Sequence, residues 1–296
     1  MILNPNAGSG RAGRIWERIQ PLMVTTLGEI EVAITQNIQD VHGAVAKAHG
    51  AGIRQVIAIG GDGTSNVVIN ALLNLPTTEK FTFGQIPLGT GQDFARTMRI
   101  PGTPEVAVQW LAAAQPSPMD VGYLEYDGQA RYFLNIASAG VSGEVDQKVN
   151  QIKKRRPWSF LSAAVQGFLQ YSPALVRVKL DGQDWHEGKA WILAVANGTT
   201  FGAGMKIAPH AKVDDGLLDV VLLKDASRLK VISDLASVYP GRHLNNPNII
   251  HRQAKMIEVE ALDAALPLDI DGETGSGKHL RFMIKPAAIN FMAGKG

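Results

Sequence analysis

The stretch that most constrains this chain runs Gln55-Val56-Ile57-Ala58-Ile59-Gly60-Gly61-Asp62-Gly63-Thr64-Ser65-Asn66-Val67-Val68-Ile69-Asn70. A short apolar run, Val56-Ile57-Ala58-Ile59, stops at a glycine turn. A continuous, mostly β-branched run of this kind reads as a strand buried on both faces, as in a parallel sheet. Val67, Val68, Ala71, Leu72 and Leu75 then recur at helical spacing, with Thr64 or Ser65 as the expected N-cap. Glycines let backbone approach a ligand closely, and the N–H groups of a helix start favour anions. The turn therefore reads as a phosphate-binding turn. An aspartate beside phosphates is repelled unless a cation intervenes, so Asp62 predicts a magnesium ion or its water shell. The plainer alternative is a tight strand–helix turn whose glycines serve packing alone.

The flanking sequence repeats the same theme. Met1-Ile2-Leu3 reads as a strand stub and leads into the polar turn Asn4-Pro5-Asn6-Ala7-Gly8-Ser9-Gly10. A helix comes next, with Ile15, Trp16, Ile19, Leu22 and Met23 on one face and a kink expected at Pro21. A strand at 31–35 ends on Thr35, a helix covers 39–49, and a strand at 81–87 leads into Leu88-Gly89-Thr90-Gly91-Gln92-Asp93 and a helix through Met98. A short helix at 106–114 ends at Pro116-Ser117-Pro118. Alternating strands and helices predict a doubly wound parallel sheet whose ligand turns gather at the carboxyl ends of the strands.

After Pro118 strands dominate: 120–126, 131–137, 175–180, 189–196, 217–222, 256–261, 267–270 and 281–285, punctuated by Asp-Gly pairs. That pattern predicts an antiparallel sandwich, interrupted by helical insertions at about 143–171 and 228–238. The expected architecture is α/β with two domains: an N-terminal doubly wound α/β nucleotide-binding domain over 1–118 and a C-terminal β-sandwich over 119–286. Residues 287–296 form a tail that could return to the first domain. A chain of 296 residues is long for one core and fits that division.

Zero cysteines exclude a disulfide, a cysteine zinc site and a thiol nucleophile, and fit a reducing, cytoplasmic setting. With 45% hydrophobic residues and a net charge of +2, nucleic acid is not an expected partner. No apolar run reaches membrane-spanning length and no signal peptide is expected, so membrane contact would be peripheral. Lys153-Lys154-Arg155-Arg156 followed by Pro157-Trp158-Ser159-Phe160-Leu161 is either a solvated face or a patch suited to an anionic membrane surface.

Further candidates for chemistry come from turns. Asp93 reads first as a helix N-cap, and beside Asp62 as part of a shared metal or water network. Asn197-Gly198-Thr199-Thr200-Phe201-Gly202-Ala203-Gly204 is a structural loop or one wall of a cleft. Asp214-Asp215-Gly216 is either solvated or, with nearby carbonyls, a hard-cation site. Asp269, Asp271 and Glu273 would share one side if their strand continued past Gly272, and one of them could take a proton from a hydroxyl nucleophile. The seven histidines show no paired ligand spacing.

These residues together resemble the diacylglycerol kinase catalytic family, the bacterial soluble lipid kinases related to sphingosine and ceramide kinases. The resemblance covers nearly the whole chain. It rests on Asn4-Pro5-Asn6-Ala7-Gly8, Gly60-Gly61-Asp62-Gly63-Thr64, Pro87-Leu88-Gly89-Thr90-Gly91-Gln92-Asp93-Phe94-Ala95-Arg96, Asp120-Val121-Gly122, Phe133-Leu134-Asn135-Ile136-Ala137, Ala208-Pro209-His210-Ala211-Lys212-Val213-Asp214-Asp215-Gly216 and Asp271-Gly272-Glu273. It implies a nucleotide-binding α/β domain, a β-sandwich domain and an active site between them. ATP would be held by Asn4, Pro5, Asn6, Ala7, Gly8, Thr35, Gly61, Asp62, Gly63, Thr64, Ser65, Asn66, Val67 and Thr90. Asp62 and Asp93 would belong to the catalytic Mg²⁺–water network, with Glu273 as the general base. A structural magnesium would be held by the Asp215 side chain and the carbonyls of Lys212 and Leu217. Two positions depart from the family pattern: Gln92 stands where an asparagine is usual, and Val67 where an acid is usual. The implied activity is phosphoryl transfer from ATP to a lipid hydroxyl at a membrane surface. Diacylglycerol is the first acceptor, with phosphatidylglycerol or a sphingoid base behind it. The acyl chains would lie against the second domain, beneath the 143–171 insertion. A homodimer is compatible with the resemblance. Gly-Gly-Asp-Gly-Thr is also found in NAD kinases, which supply the alternative reading, and a nucleotide- or lipid-binding protein without turnover is a third.

Overall fold

The computed structural model describes residues 1–151 and 157–294. The run Lys153-Lys154-Arg155-Arg156 lies outside the described residues, as do the side chains of Trp158, Phe160 and Leu161. Contacts divide the chain into two compact units, residues 1–119 with 287–296, and residues 120–286.

The first unit contains β1 (Ile2–Leu3), α1 (Ala7–Leu27), β2 (Ala33–Ile34), α2 (Ile38–Gly50), β3 (Gln55–Gly60), α3 (Asp62–Leu73), β4 (Thr82–Pro87), α4 (Asp93–Thr97) and α5 (Pro104–Ala113). Its strands run parallel in the order β2-β1-β3-β4. Asn290 and Phe291, near the end of the chain, pair in parallel beyond β4. The order reverses at β1: the chain steps out to β2, then crosses back to β3 on the other side. In open α/β sheets, ligands bind beside that reversal, at the carboxyl ends of the strands. Val56, Ile57, Ala58 and Ile59 of β3 are all buried, as a mid-sheet strand requires. Helix α1 packs on α5 and α2 on α3, and Arg18 joins α1 to Glu105 of α5 at 2.8 Å. Phe83, Phe94 and Phe291 stack under α4 with ring centroids 5.5 to 6.0 Å apart.

The second unit is built from β5 (Gln115–Tyr126), β6 (Gln129–Phe133), β7 (Ile136–Gly140), α6 (Val141–Gln151), α7 (Pro157–Gln170), β8 (Ala174–Leu180), β9 (Gln183–Ala196), β10 (Leu218–Lys224), α8 (Arg228–Asp234), β11 (Ile249–Ala254), β12 (Met256–Ala261), β13 (Leu266–Ile270), β14 (Glu273–Gly277) and β15 (His279–Ala293). Strands β5 and β15 carry the chain out of and back into the first unit. The pairings within the second unit are antiparallel. Strand β9 pairs with β8 along its first half, and with β7 and β10 along its second, branching at Ala190. Inward-facing Leu124, Phe133, Val178, Val195, Val220 and Phe282 fill the core of this β-sandwich. A second apolar cluster lies under the helices, where Val145, Phe168 and Val231 meet Trp191 and Ile192 of β9.

Several expectations are corrected. Helix α3 begins at Asp62, with Gly61 extended as its N-cap, so Thr64 and Ser65 lie inside its first turn and do not cap it. The Thr64 hydroxyl is taken by Asn4 Nδ2 at 3.2 Å. Pro21 lies within α1 without ending it; the non-helical angles fall at Gly8, Ser9 and Gly10, a left-handed turn ahead of the main helix. The strand expected over 131–137 is two strands, β6 and β7. Leu134 and Asn135 leave the ladder because their N–H groups donate to the Asp271 carboxylate. The acids at 269–273 do not share one strand, because Asp271 and Gly272, both at positive φ, turn the chain from β13 into β14. Strands β11 and β14 carry too little apolar alternation to be anticipated.

Candidate active site

In the first unit, the turns after β1, β3 and β4 lie side by side. Asn4 N–H donates to the Ile59 carbonyl at 3.0 Å, and Leu88 and Gly89 N–H groups both donate to the Gly60 carbonyl at 2.7 and 3.1 Å. Thr35 fixes β2 to β1, its N–H and hydroxyl both donating to the Leu3 carbonyl at 2.9 and 3.1 Å. The glycines make this proximity possible. A Cβ on Gly89 would stand 2.4 Å from Gly61 Cα, and a Cβ on Gly8 would stand 2.7 Å from the Leu88 carbonyl oxygen. Among the described residues no side chain caps the N-terminus of α3. Asn4, Pro5, Ala7, Gly8, Gly61 and Gly63 are half-buried around the turns, whereas Asn6 and Thr90 are exposed. Ser65 and Asn66 are buried, and Asn66 accepts from Asn70 Nδ2, so these two belong to the helix interior by their side chains. Val67 is half-buried and offers no polar group.

Two carboxylates converge on Gly91. A Cβ there would lie 3.0 Å from Asp62 Oδ2 and 3.5 Å from Asp93 Oδ2. Asp62 accepts from the N–H groups of Asp93 and Phe94 at 3.1 and 3.2 Å, and Asp93 Oδ1 accepts from Arg96 at 3.0 Å. Asp93 is the first residue of α4 and does not cap it; the N-cap is Gln92 in the left-handed region. The longer Gln92 amide reaches back to the Pro87 and Gly89 carbonyls at 3.2 Å each and closes the turn. Burial pushes the Asp62 carboxyl above its ordinary range, against the pull of the two N–H groups and Arg96. Two recessed carboxylates, one of them poorly solvated, are the donor set a hard divalent cation prefers. The residues therefore fit magnesium, and the uncapped start of α3 fits phosphate.

In the second unit, the three acids separate by role. Asp269 accepts from Gly272 N–H at 2.8 Å and serves the turn. Asp271 accepts from the N–H groups of Leu134, Asn135 and Ile136 at 2.6, 3.0 and 2.9 Å and clamps that segment to the hairpin. Glu273 stays half-exposed, with Arg131 Nη2 at 3.8 Å. Lys212, Asp215 and Leu217 fall together in the turn before β10. Asp215 is exposed and accepts from Leu217 N–H at 3.1 Å, drawing the turn into a loop. Among the described residues no group of three or more histidines or acids is arranged to hold a metal. A set of one carboxylate and two carbonyls is of a different kind.

Two buried side chains organise this region without any role expected of them individually. Asp120 is buried and accepts from Gly216 N–H at 2.7 Å, anchoring the same turn. Asn197 donates to the Asp120 and Leu134 carbonyls at 3.0 and 2.8 Å. Their signal in the chain is their position in Asp120-Val121-Gly122 and at the start of the glycine-rich loop. A cavity of about 80 Å³ lies under α6 and α7, walled mainly by apolar residues including Val145, Phe168, Ile192 and Val221. Among the described residues no helix is long and apolar enough to cross a membrane.

Comparison with known proteins matches residues 1–124 to the diacylglycerol kinase catalytic domain and residues 135–293 to the YegS C-terminal NAD kinase beta sandwich-like domain. A relative from Chromohalobacter salexigens, named "Probable lipid kinase YegS-like", is 31% identical over 84% of this chain and 79% of its own length. A Staphylococcus carnosus protein named diacylglycerol kinase is 25% identical over 96% of this chain and 90% of its own. A crystal structure of a diacylglycerol kinase from Bacillus anthracis str. Sterne superposes with a TM-score of 0.76 at 23% identity. It covers 99% of this chain and 95% of that one, a likeness of fold.

Proposed function

The chain belongs to the diacylglycerol kinase catalytic-domain family, and from that premise we propose that it is an ATP- and magnesium-dependent lipid kinase. The observation that carries the reading is the convergence of Asp62 and Asp93 on Gly91, between touching glycine turns at the reversal of a parallel sheet. In this reading the turns at Asn4 to Gly8, Gly61 to Val67 and Thr90 hold the nucleotide, with Thr35 beside them. Backbone N–H groups at the start of α3 face the phosphates. Asp62 and Asp93 hold magnesium, which when bound neutralises charge on the transferring phosphoryl group. Glu273 takes the proton of the acceptor hydroxyl: Asp269 and Asp271 are engaged by backbone N–H groups, whereas Glu273 stays half-exposed beside Arg131. Asp215, with the carbonyls of Lys212 and Leu217, holds a second, structural magnesium. Diacylglycerol is the proposed acceptor, its acyl chains lying against the second unit at the apolar cluster beneath α6 and α7. The enzyme meets its lipid by peripheral contact with a membrane.

The test is phosphate transfer from labelled ATP, with and without magnesium, to diacylglycerol, phosphatidylglycerol, a sphingoid base and NAD. Labelled phospholipid is the expected product. Labelled NADP, or nucleotide binding without transfer, would overturn the reading. Glu273→Gln should retain ATP affinity and lower kcat by about 10² or more. A variant near the wild-type rate removes Glu273 as the base.

A further inference from the structure

The proposed base, Glu273, is held by one long ion pair. Among the described residues its carboxylate has a single partner, Arg131 Nη2 at 3.8 Å. That is beyond hydrogen-bond length, so the carboxylate keeps its lone pairs for an incoming hydroxyl. Backbone elsewhere sets the spacing. Glu273 opens β14, which among the described residues pairs with β13 alone. Arg131 lies in β6, opposite Leu124 of β5. The Asp271 carboxylate, two residues before the base, takes the N–H groups of Leu134, Asn135 and Ile136, which begin three residues after Arg131. This clamp ties the β13–β14 turn to the end of β6, beside the pair. Both side chains reach solvent, Arg131 at 24% exposure and Glu273 at 38%.

Phosphoryl transfer changes the charges around this pair. The acceptor's proton goes to Glu273, its oxygen bonds the γ-phosphorus, and the bond from that phosphorus to the β,γ-bridging oxygen breaks, releasing ADP. The carboxylate loses its negative charge, while the new phosphate monoester carries about −1.5 to −2 at pH 7. A guanidinium keeps its charge and meets a phosphate as a bidentate fork. A base lies about 2.6–3.2 Å from the hydroxyl it deprotonates, so the new phosphate forms within reach of that fork. We propose that Arg131 exchanges partners during turnover: it pairs with the Glu273 carboxylate before transfer and with the phosphate of the product lipid after it. This rests on the lipid-kinase reading with Glu273 as its base, but binding of the product can be measured without turnover.

The binding arm titrates the full chain calorimetrically with dioctanoyl phosphatidate, dioctanoylglycerol and sn-glycerol 3-phosphate. Arg131→Met keeps the apolar stem and removes the charge; a partly exposed ion pair adds little stability, so Tm should stay within about 2 °C of wild type. This variant should bind the phosphatidate roughly tenfold more weakly, and dioctanoylglycerol within about twofold of wild type. Arg131→Lys keeps the charge and should recover most of the loss. Glu273→Gln removes the competing carboxylate and should bind the phosphatidate several-fold more tightly than wild type. In the turnover arm, Arg131→Met should raise the inhibition constant of the phosphatidate by the same factor as its dissociation constant and leave KM for dioctanoylglycerol unchanged. Unchanged phosphatidate affinity in Arg131→Met, or weaker binding in Glu273→Gln, overturns the proposal. Equal wild-type affinity for sn-glycerol 3-phosphate and the phosphatidate overturns it too, and assigns Arg131 to free phosphate. An Arg131-dependent preference for the phosphatidate with no phosphate transfer to any lipid would sink the kinase reading and leave Arg131 as the reader of a lipid phosphate. Transfer with product binding independent of Arg131 would do the reverse.

Discussion

The Asp271 carboxylate offers a sharp quantitative test of how the second unit is held together. It accepts N–H groups of three consecutive residues at 2.6 to 3.0 Å, and its own N–H donates to the Ile136 carbonyl at 3.0 Å. A hydrogen bond to a charged group contributes about 1.5–3 kcal/mol. Three of them set a ceiling near ~5–9 kcal/mol, and the site is only partly buried, so water recovers about half when the carboxylate is removed. Asp271→Gly is the clean perturbation, because φ is +53° there and glycine adopts it without strain. The expected loss is about 2–4 kcal/mol, or roughly 3–6 °C in Tm for a chain of this size. Asp271→Asn keeps the left-handed turn and one acceptor oxygen, and should lose about half as much. Thermal and urea unfolding followed by circular dichroism measure both. If Asp271→Gly stays within about 0.5 kcal/mol of wild type, the carboxylate does not clamp residues 134–136, and the splitting of β6 from β7 needs another cause.

Three other outcomes are expected from the same geometry. Gly89→Ala should cost about 3 kcal/mol and abolish ATP binding, since its Cβ would meet Gly61 Cα at 2.4 Å; Gly43→Ala in α2, with open space around it, should stabilise by about 0.5–1 kcal/mol, both read as Tm with an ATP titration. If the turn before β10 holds structural magnesium, Asp215→Ala in magnesium buffer should melt where chelator-treated wild type melts; an unchanged Tm in both would remove the metal. The folded pKa of His243 lies below its ordinary 6.5, through burial first and the charge of His251 after the opposing Ile207 contact. The unfolded chain therefore binds the proton more readily, and this contribution to stability is present above pH 6.5 and lost as pH falls below it. Wild type should lose more Tm between pH 7 and 5 than His243→Phe, and parallel curves would contradict it.

The first unit is legible in the sequence at the level of elements because its signals are local. An apolar run such as Val56-Ile57-Ala58-Ile59 needs burial on two faces, and a glycine turn leading into a helical stripe marks the helix beyond it. The sequence does not show where α3 begins, since Gly61 as an extended cap and the capture of Thr64 by Asn4 depend on β1, sixty residues away in the chain. The second unit is legible as alternating strands, but β14, Glu273-Thr274-Gly275-Ser276-Gly277, contains no apolar side chain beyond a threonine methyl and is a strand only through its pairing with β13. The acids at 269, 271 and 273 are interchangeable by sequence. Long-range contacts separate them: Asp271 finds its donors about 136 positions earlier, and Glu273 is left facing Arg131. The buried Nδ1 of His243, without a partner among the described residues, has no sequence signal, because that arises from the Ile207 carbonyl taking the other nitrogen.

The glycine turn admits two readings that are usually opposed, packing or ligand approach, and here the first is the condition of the second. Gly61 and Gly89 lack side chains because their backbones touch. That contact brings the turn after β4 against the turn after β3, so that Asp62 can accept the N–H groups of Asp93 and Phe94. Those bonds aim the carboxylate at Gly91, so that in the proposed reading its geometry is set before a cation binds. Preorganisation of this kind commits folding free energy to one geometry so that binding need not supply it. A glycine replaced for want of a ligand contact would therefore lose the carboxylate geometry along with the turn. For that reason the Gly89→Ala measurement has to report Tm and nucleotide affinity together: a loss of affinity at unchanged Tm would mean that the two turns are not coupled through their backbones at all.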